Sequence, residues 1–149
     1  MIPSVKTRAY RKLRTLTQFK FFDGTSKLPQ LEGCSTPLAK TEEIIGAYEN
    51  TPGEKQDLVL VTNLGLHWWT RGDWHSLEYS EMLEAEWPSP VKMEATAVLI
   101  RSRSGNLISV PIRGGTEFTR DAFSVMTFIM RMIEDEGRRA LQKRSLADA

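Results

Sequence analysis

The sequence predicts an α+β structure that is mainly β, with about seven short antiparallel strands, one long C-terminal helix and a basic amphipathic helix at the N-terminus. Two observations lead to this prediction. Between residues 43 and 113, short apolar or alternating runs are separated by Gly, Pro, Asn and Asp, as is typical of strands joined by tight turns. After residue 119, apolar residues recur every three or four positions, the spacing of a helix that covers a sheet.

The composition is that of one soluble globular domain. The chain has 149 residues, of which 40% are hydrophobic and 26% charged, enough to bury one core without disulfides or metal. Its longest apolar run, residues 97–100, is too short for a membrane span or for the apolar section of a secretory signal. The single cysteine, Cys34, cannot form an internal disulfide. We therefore expect a cytoplasmic protein without cofactor or metal, with peripheral attachment to a membrane as the alternative.

Charge is distributed unevenly along the chain. Residues 1–22 carry six basic side chains and no acidic one, residues 23–137 carry ten basic and eighteen acidic ones, and residues 138–149 carry four basic and one acidic. Either the basic ends fold back onto the acidic body, or they bind something anionic. The anion-binding candidates in the N-terminal segment are Lys6, Arg8, Arg11, Lys12 and Arg14.

Residues 1–22 are predicted to contain a short amphipathic helix. Its apolar stripe consists of Val5, Ala9, Leu13 and Leu16, and basic residues cover most of the remaining surface. Because the stripe is thin, we favour docking of this helix on the domain over its insertion into a membrane surface. Residues 23–41, which are rich in Gly, Pro, Ser and Thr, are predicted to be a connector.

Turn residues separate the predicted strands of residues 42–137. Pro52 and Gly53 fit a type II turn, and Gly65 is expected to adopt a positive φ in a tight reversal. Pro111 cannot donate to a strand ladder, so its strand is expected at a sheet edge or at a bulge. Besides the hairpin described next, the predicted strands are residues 43–50, 57–62, 83–87, 96–102 and 107–113.

Residues 61–82 hold both histidines and three of the four tryptophans, and they are predicted to form a hairpin. A two-residue turn at Gly72 and Asp73 pairs Arg71 with Trp74. One face then collects the largely apolar set Leu66, Trp68, Thr70, His75, Leu77 and Tyr79. His67 lies on the opposite face, so the two histidines cannot share a metal; we expect a surface His67 and a hydrogen-bonded His75 at the core edge.

The outer face of this hairpin carries the candidate partner-binding residues Trp69, Arg71 and Trp74. Tryptophan beside arginine is typical of patches that anchor partners or stack on rings. The alternative is that the N-terminal helix or a second subunit covers the two tryptophans. Both interpretations place an interface on this face.

The C-terminal helix is predicted to begin after Thr119, a suitable N-cap. Gly137 either ends it, or the helix continues through the charged residues that follow, as a basic C-terminal extension over residues 138–149. Its apolar stripe is predicted to consist of Ala122, Met126, Ile129 and Ile133, widened by Phe123 and Met130 to cover a sheet.

The segment "DLVLVTNLGLHWWTRGDWHSLEYSEMLEAEW", residues 57–87, resembles bacterial pleckstrin-homology-like and GRAM-type domains. Its turn between the second and third strands matches at Thr62, Asn63 and Leu66, and a later strand matches at Glu81, Met82, Ala85 and Glu86. The resemblance covers roughly residues 41–136. It implies a bent antiparallel β-sandwich or barrel closed by a C-terminal helix, and a binding or assembly module with no catalytic residues.

The basic residues with which such domains bind phosphoinositides are not matched. The first strand ends "YENTPGEK" and the second, "DLVLVTN", has no basic pair. Lys92, Arg101 and Arg103 satisfy the family's lysine, spacer, Arg-x-Arg pattern, but on later strands. We interpret this match as coincidental, because phosphate binding needs basic groups that converge in space. Arg101 and Arg103 remain weak anion-binding candidates.

These patterns predict a non-enzymatic module for protein–protein interaction or self-assembly, with a protein partner or a second copy of the chain. The segment "RGGTEFTRD" lacks the Lys-Ser/Thr ending of a phosphate-binding loop. The alternative function is peripheral binding to anionic membranes or lipid headgroups through the basic N-terminal helix. The acidic body argues against nucleic acid as a partner.

Overall fold

A computed structural model of the chain describes residues 1–22, 28–86, 95–115 and 120–148. The structure belongs to the α+β class, as the sequence predicts, and these ranges contain two α-helices, two short 3₁₀ helices and two antiparallel sheets. The helices are α1 (Val5–Leu13) and α2 (Asp121–Ala147). The strands are β1 (Phe19–Phe21), β2 (Ile44–Tyr48), β3 (Leu58–Thr62), β4 (Gly65–Thr70), β5 (Asp73–Glu78), β6 (Met82–Glu86), β7 (Ala97–Ser102) and β8 (Leu107–Pro111).

The strands pair with their neighbours in sequence. The first sheet has the order β1-β2-β3-β4-β5 and the second the order β6-β7-β8. β8 therefore lies at a sheet edge, as Pro111 predicts. β1 was not predicted: its three residues pair with β2, with Phe19 opposite Tyr48, and so short a strand directly after a helix shows too little alternation to be recognised.

The main core joins the inward faces of both sheets to the buried faces of both helices. Val98 and Ile100 of β7 are fully buried and alternate with half-buried residues, as the pattern predicts. From α1, Ala9 and Leu13 are also fully buried. The predicted apolar stripe of the N-terminal helix therefore packs inside the chain, in the same core as the strands.

A second, smaller core lies on the other face of the five-stranded sheet. Ala47, Leu58 and Leu60 are buried there against the half-buried Leu28 and Leu31. β3 is consequently buried on both faces. The residues that cover it belong to the predicted connector, so residues 28–42, which we call the arm, are part of the packed structure.

The predicted hairpin turn at Gly72 and Asp73 is wrong. The turn lies at Arg71 and Gly72, whose φ angles are 55° and 82°, the positive values that a type I′ turn requires. Trp69 consequently pairs with Trp74, whereas the predicted turn pairs it with Ser76. Because the partner shifts by two residues, every side chain keeps its predicted face. The apolar pattern selects the face, and both turns satisfy it.

Two of the predicted turn positions require glycine for different structural reasons. Gly53 has a φ of 81°, as the type II turn requires. Gly65 is not among the glycines with positive φ, so that expectation is wrong. A Cβ atom at Gly65 would instead lie 2.3 Å from the carbonyl oxygen of Leu77, so the close approach of two strands requires this glycine.

The long helix α2 passes through Gly137 and ends at Ala147. Its buried side includes Phe128, Ile129 and Met132, all fully buried. The expectation that Met130 widens this side is wrong, since Met130 points away from the core and is 48% exposed. The predicted N-cap Thr119 lies outside the described residues.

We predict that truncation of α1 at its buried stripe destabilises the whole structure. Leu13→Ala removes a fully buried side chain and should lower the free energy of unfolding by about 2–5 kcal/mol. Arg11→Ala, on the exposed side of the same helix, should change it by less than about 0.5 kcal/mol. Urea unfolding followed by tryptophan fluorescence measures both. Equal stability of the two variants would show that α1 is not part of the core.

Candidate functional site

The two tryptophans of the predicted partner-binding patch lie side by side on the outer face of the five-stranded sheet. Trp69 and Trp74 are directly opposite each other on β4 and β5, and both are half-buried. The Nζ atom of Lys55 lies 4.4 Å from the ring centre of Trp69 and 5.9 Å from that of Trp74. Arg71 is exposed in the hairpin turn.

The arm contacts one of these tryptophans. Trp74 Nε1 donates a hydrogen bond to the carbonyl oxygen of Ser35, at 2.9 Å. Lys55, which lies over both rings, also places its Nζ 3.0 Å from Cys34 Sγ. For Trp74, the partial cover that the sequence analysis assigned to the N-terminal helix or a second subunit is therefore provided by residues 28–42. The two rings engage the chain itself, and Arg71 alone of the three is exposed.

The end of the arm is fastened to the sheet by a buried polar cluster. His67 Nε2 lies 2.6 Å from Glu42 Oε2, and His67 Nδ1 lies 2.6 Å from Ser76 Oγ. The hydroxyl of Thr62 donates a further hydrogen bond to Glu42. The expectation of a surface His67 is thus wrong, since His67 is 7% exposed. His75 lies at the core edge, as expected, but is exposed.

The burial of His67 has a physical cause that the hairpin pattern does not contain. The outer face of the sheet is not a solvent face, because the arm covers it and supplies Glu42 as a partner for His67. His75, on the other face, stacks against the edge of the core on Trp68, with ring centres 5.8 Å apart. The two histidines do point to opposite faces, as predicted.

Glu42 is held in its ionised form. Burial raises the pKa of this carboxyl group, but hydrogen bonds from Thr62 and His67 outweigh the burial and keep its pKa below the ordinary value of 4.5. Serine, histidine and glutamate in this order also occur in hydrolytic relays. In such relays, too, one ring nitrogen contacts the serine and the other the carboxylate, so the contacts of His67 do not by themselves distinguish a relay from a fastening of the arm.

Two large cavities lie on the described part of the molecule. One, of about 720 Å³, is lined by Lys6 and Phe22 beside the start of α1 and by Glu42 of the polar cluster. The other, of about 560 Å³, is lined by Arg71, His75 and Arg113. The first cavity therefore reaches the polar cluster through Glu42, whereas His67 and Ser76 line neither of the two.

One predicted anion-binding residue, Arg8, is engaged inside the structure. Its guanidinium group donates two hydrogen bonds to the carboxylate of Asp135, at 3.0 and 3.1 Å. Of the other basic residues in α1 and at its C-cap, Lys6, Arg11 and Arg14 are exposed, and Lys12 is half-buried. The exposed face of α1 therefore remains basic, although Arg8 is paired with Asp135.

The weak anion-binding candidates on the second sheet have separate partners. Arg101 Nε donates to Glu84, and Arg103 Nε donates to the carbonyl oxygen of Ser80, each at 3.0 Å. Lys92, the first residue of the coincidental pattern, lies outside the described residues. The structure therefore shows no convergence of Arg101 and Arg103 on one point.

The two basic ends of the chain meet. Arg139 donates a hydrogen bond to the carbonyl oxygen of Pro3, although the residues are 136 positions apart. α1 packs along α2 in this region. Sequence reasoning identified each basic end separately, and only the tertiary structure places them side by side.

The C-terminal part of α2 is a surface that sequence reasoning missed as a site. Residues 137–147, which we call the helix overhang, are exposed except for the half-buried Arg139. Two large apolar side chains are displayed on it, Leu141 at 63% and Leu146 at 78% exposure. The sequence feature that could have indicated this surface is Leu141, which continues the helical spacing of Met130 and Gly137 past the expected helix end.

Within the described ranges, no group of three or more His, Cys, Asp and Glu side chains is placed to hold a metal ion. The described helices include none that is both long and apolar enough to cross a membrane.

We predict that Glu42 makes the attachment of the arm sensitive to acid. Because its pKa is lowered in the folded state, its contribution to stability is complete above pH 4.5 and is lost as the pH falls through the folded-state value. Glu42→Gln should cost about 1.5–3 kcal/mol of unfolding free energy at neutral pH. The variant should also lose less stability than the wild type on acidification. The control is Glu43→Gln, at the exposed neighbouring position. Chemical denaturation at a series of acidic pH values measures the unfolding free energy of each protein. If the unfolding free energy of Glu42→Gln fell with pH as steeply as that of the wild type, the prediction would be contradicted.

No family model matches the chain, and comparisons with curated proteins and with solved structures find no match either. The function is therefore argued from the geometry of the described residues.

Proposed function

We propose that the chain is a non-enzymatic, cytoplasmic protein-binding module of the pleckstrin-homology-like type, and that the helix overhang is the element that contacts its partner. The observation that carries the proposal is the exposure of Leu141 and Leu146 on a helix that leaves the domain. An isolated helix of this length is marginal in water, so a partner that covers Leu141 or Leu146 would stabilise the overhang.

The overhang is favoured over the tryptophan patch for a specific reason. The indole nitrogen of Trp74 already has a partner in the arm, and Lys55 lies over both rings. A partner at Trp69 and Trp74 would have to displace the arm or bind beside it. By contrast, residues 140–147 are all exposed in the structure. Arg71, at the exposed hairpin tip, remains available for a peripheral contact.

The pleckstrin-homology-like assignment is supported by element order. A sheet that contains β2 to β5, then a sheet of β6 to β8, and then a long helix follow each other as they do in that family. The cytoplasmic location is proposed from the composition, whose one cysteine has no disulfide partner in the chain.

The proposal predicts that a photo-crosslinking amino acid at position 141 captures a protein at the overhang. Irradiation of cells that produce Leu141→benzoylphenylalanine should yield one discrete covalent adduct, because the reactive group occupies the binding surface. The control, Thr51→benzoylphenylalanine, places the same group in an exposed turn on another part of the molecule. Adducts from neither position, or the same adducts from both, would contradict the proposal.

Binding to an anionic membrane is the second candidate, favoured by the convergence of the two basic ends. Lys6, Arg11 and Arg14 of α1 are exposed, and the overhang beside this helix adds Arg138, Lys143 and Arg144. Near an anionic surface each such residue contributes about 1 kcal/mol, so a group of this size could bind.

This second candidate predicts a charge-dependent interaction with vesicles. Lys143→Glu should weaken co-sedimentation with phosphatidylserine-containing vesicles, since it reverses one charge in the basic group. Lys40→Glu, the same change at an exposed position of the arm, should leave co-sedimentation unchanged. Pure phosphatidylcholine vesicles give the background. If the two variants sediment equally with the anionic vesicles, the membrane function is excluded for this surface.

A further inference from the structure

We propose that Ser76 is a nucleophile, activated by His67 as its general base, that accepts an uncharged acyl group from an activated ester. In the polar cluster His67 lies between Ser76 and Glu42. The inference goes beyond the proposed function, because it adds a modification site on β5, away from the helix overhang. A single acyl transfer modifies the chain once and does not require turnover.

The strand register brings the hydroxyl group of Ser76 to the ring of His67. The two residues are directly opposite each other on β5 and β4. Thr70 and Asp73 flank the two-residue turn as a hydrogen-bonded pair, so the alternation of an antiparallel ladder makes His67 and Ser76 a non-hydrogen-bonded pair. Side chains are closer in pairs of this kind, and here Ser76 Oγ lies 2.6 Å from His67 Nδ1.

The contact on the other side of the ring decides which nitrogen of His67 carries the proton. Glu42 is ionised at neutral pH, so its carboxylate has no proton to donate. The 2.6 Å contact between His67 Nε2 and Glu42 Oε2 is then a hydrogen bond that Nε2 donates. In the neutral ring, Nδ1 consequently has no proton and accepts one from the hydroxyl group of Ser76. This is the state of a general base before it takes a proton.

Glu42 is a positioning residue for this base. Its Oε1 accepts a hydrogen bond from the backbone N–H of Ala39, at 3.1 Å, and the hydroxyl of Thr62 also donates to this carboxylate. These contacts fix the carboxylate and, through it, the ring of His67. A nucleophile, a base within hydrogen-bond reach and a third group that orients the base together make up an activated serine.

Of these three residues, the nucleophile is the one that solvent reaches. Ser76 is exposed, whereas His67 is 7% exposed and the side chain of Glu42 is 5% exposed. An acyl donor can therefore approach Ser76 while the base and its carboxylate stay shielded from water.

The backbone of Ser76 offers a hydrogen-bond donor for the oxygen of the attacked carbonyl group. β5 lies at the edge of its sheet, and within the described ranges no strand pairs with its outer side. The N–H of Ser76 points toward this outer side, because its pair with His67 is not hydrogen-bonded. It is therefore free to donate to the oxyanion that forms when the hydroxyl group attacks.

The neighbours of Ser76 on its face of β5 select the acyl group. Trp74 and Glu78 are each two positions away in the strand and so share this face. Trp74 is half-buried and presents an apolar ring, and Glu78 has an exposed carboxylate. An uncharged acyl group fits beside the ring, whereas an anionic one would be repelled by Glu78.

The transfer conserves atoms and electrons. Ser76 Oγ forms a bond to the carbonyl carbon of the ester while His67 Nδ1 takes the hydroxyl proton. The bond between this carbon and the alcohol oxygen of the ester then breaks, and its electron pair stays on that oxygen. His67 returns the proton to the oxygen, so the products are O-acylated Ser76 and a free alcohol.

The first test treats the full-length protein with p-nitrophenyl acetate at neutral pH and locates each acetyl group by tandem mass spectrometry. Ser76 should be acetylated at least about a hundredfold faster than Ser80, the factor expected of a general base. Ser80 is a matched control, because it is exposed and its hydroxyl contacts Glu78 rather than a histidine. Equal rates at Ser76 and Ser80 would overturn the inference.

Release of p-nitrophenol gives a second measurement on the same samples. A rapid phase of about one p-nitrophenol per chain should accompany acetylation. This phase should be lost in Ser76→Ala and kept in Ser80→Ala. A rapid phase that survives in Ser76→Ala would assign the reaction to another residue and overturn the inference.

Two variants test the roles of the base and of the positioning residue. Glu42→Gln should lower the rate at Ser76 at least about tenfold, because an amide can donate to Nε2 and leave the proton on Nδ1. Detachment of the arm alone would leave Ser76 at least as accessible, so a structural role predicts an equal or higher rate. In His67→Ala the rate should fall toward that of Ser80, and added imidazole should raise it again at Ser76 but not at Ser80.

Circular dichroism checks that both variants fold; if one does not, the wild-type comparison of Ser76 with Ser80 still decides. A rate at Ser76 that neither folded variant lowers would overturn the assignment of His67 as base. Continued release of p-nitrophenol that Ser76→Ala abolishes would support the nucleophile and overturn the non-enzymatic part of the proposed function. Failure at Ser76 leaves binding at the helix overhang standing, since crosslinking from position 141 measures a separate surface.

Discussion

The ion pair between Arg8 and Asp135 is the interaction on which the arrangement of the two helices depends. Asp135 is fully buried, and an ionised carboxylate in such a place is costly unless it is paired and hydrogen-bonded. Arg8 meets this requirement with two hydrogen bonds at 3.0 and 3.1 Å, the forked geometry for which a guanidinium group is suited. The pair holds α1 against α2 just before the overhang begins.

Several features of the molecule follow from this contact. With α1 held along α2, its buried residues join the core of both sheets, and Arg139 reaches the carbonyl oxygen of Pro3. The two basic ends of the chain thereby become one region of the surface.

A second constraint acts on the five-stranded sheet, which is covered on both faces. Leu58 and Leu60 of β3 face the arm, and Val59 and Val61 face the main core. A strand buried on both sides needs cover on both sides, and here the arm supplies the second cover. Glu42, His67 and Thr62 satisfy one another's polar groups where the arm returns to the sheet. Trp69 of β4 and Trp74 of β5 lie on the face that the arm packs against, whereas Trp68 faces the main core.

The sequence by itself determined the local elements. Period-two and helical spacing, together with turn residues such as Pro52 and Gly53, depend on backbone geometry and therefore show in a single chain. The division of the hairpin into two faces belongs to this group, since it depends only on alternation. The same alternation could not choose between a turn at Gly72 and Asp73 and one at Arg71 and Gly72, because both keep every residue on its face.

Only the tertiary structure decided which part of the chain packs against each surface. The burial of His67 depends on Glu42, 25 positions away, and the pairing of Arg8 depends on Asp135, 127 positions away. Such contacts are set by how the arm and the helices pack, and no local period records them. The exposure of Met130 and Leu141 has the same origin: their helical spacing is visible in the sequence, but the side of α2 that faces the core is chosen by the elements packed against it.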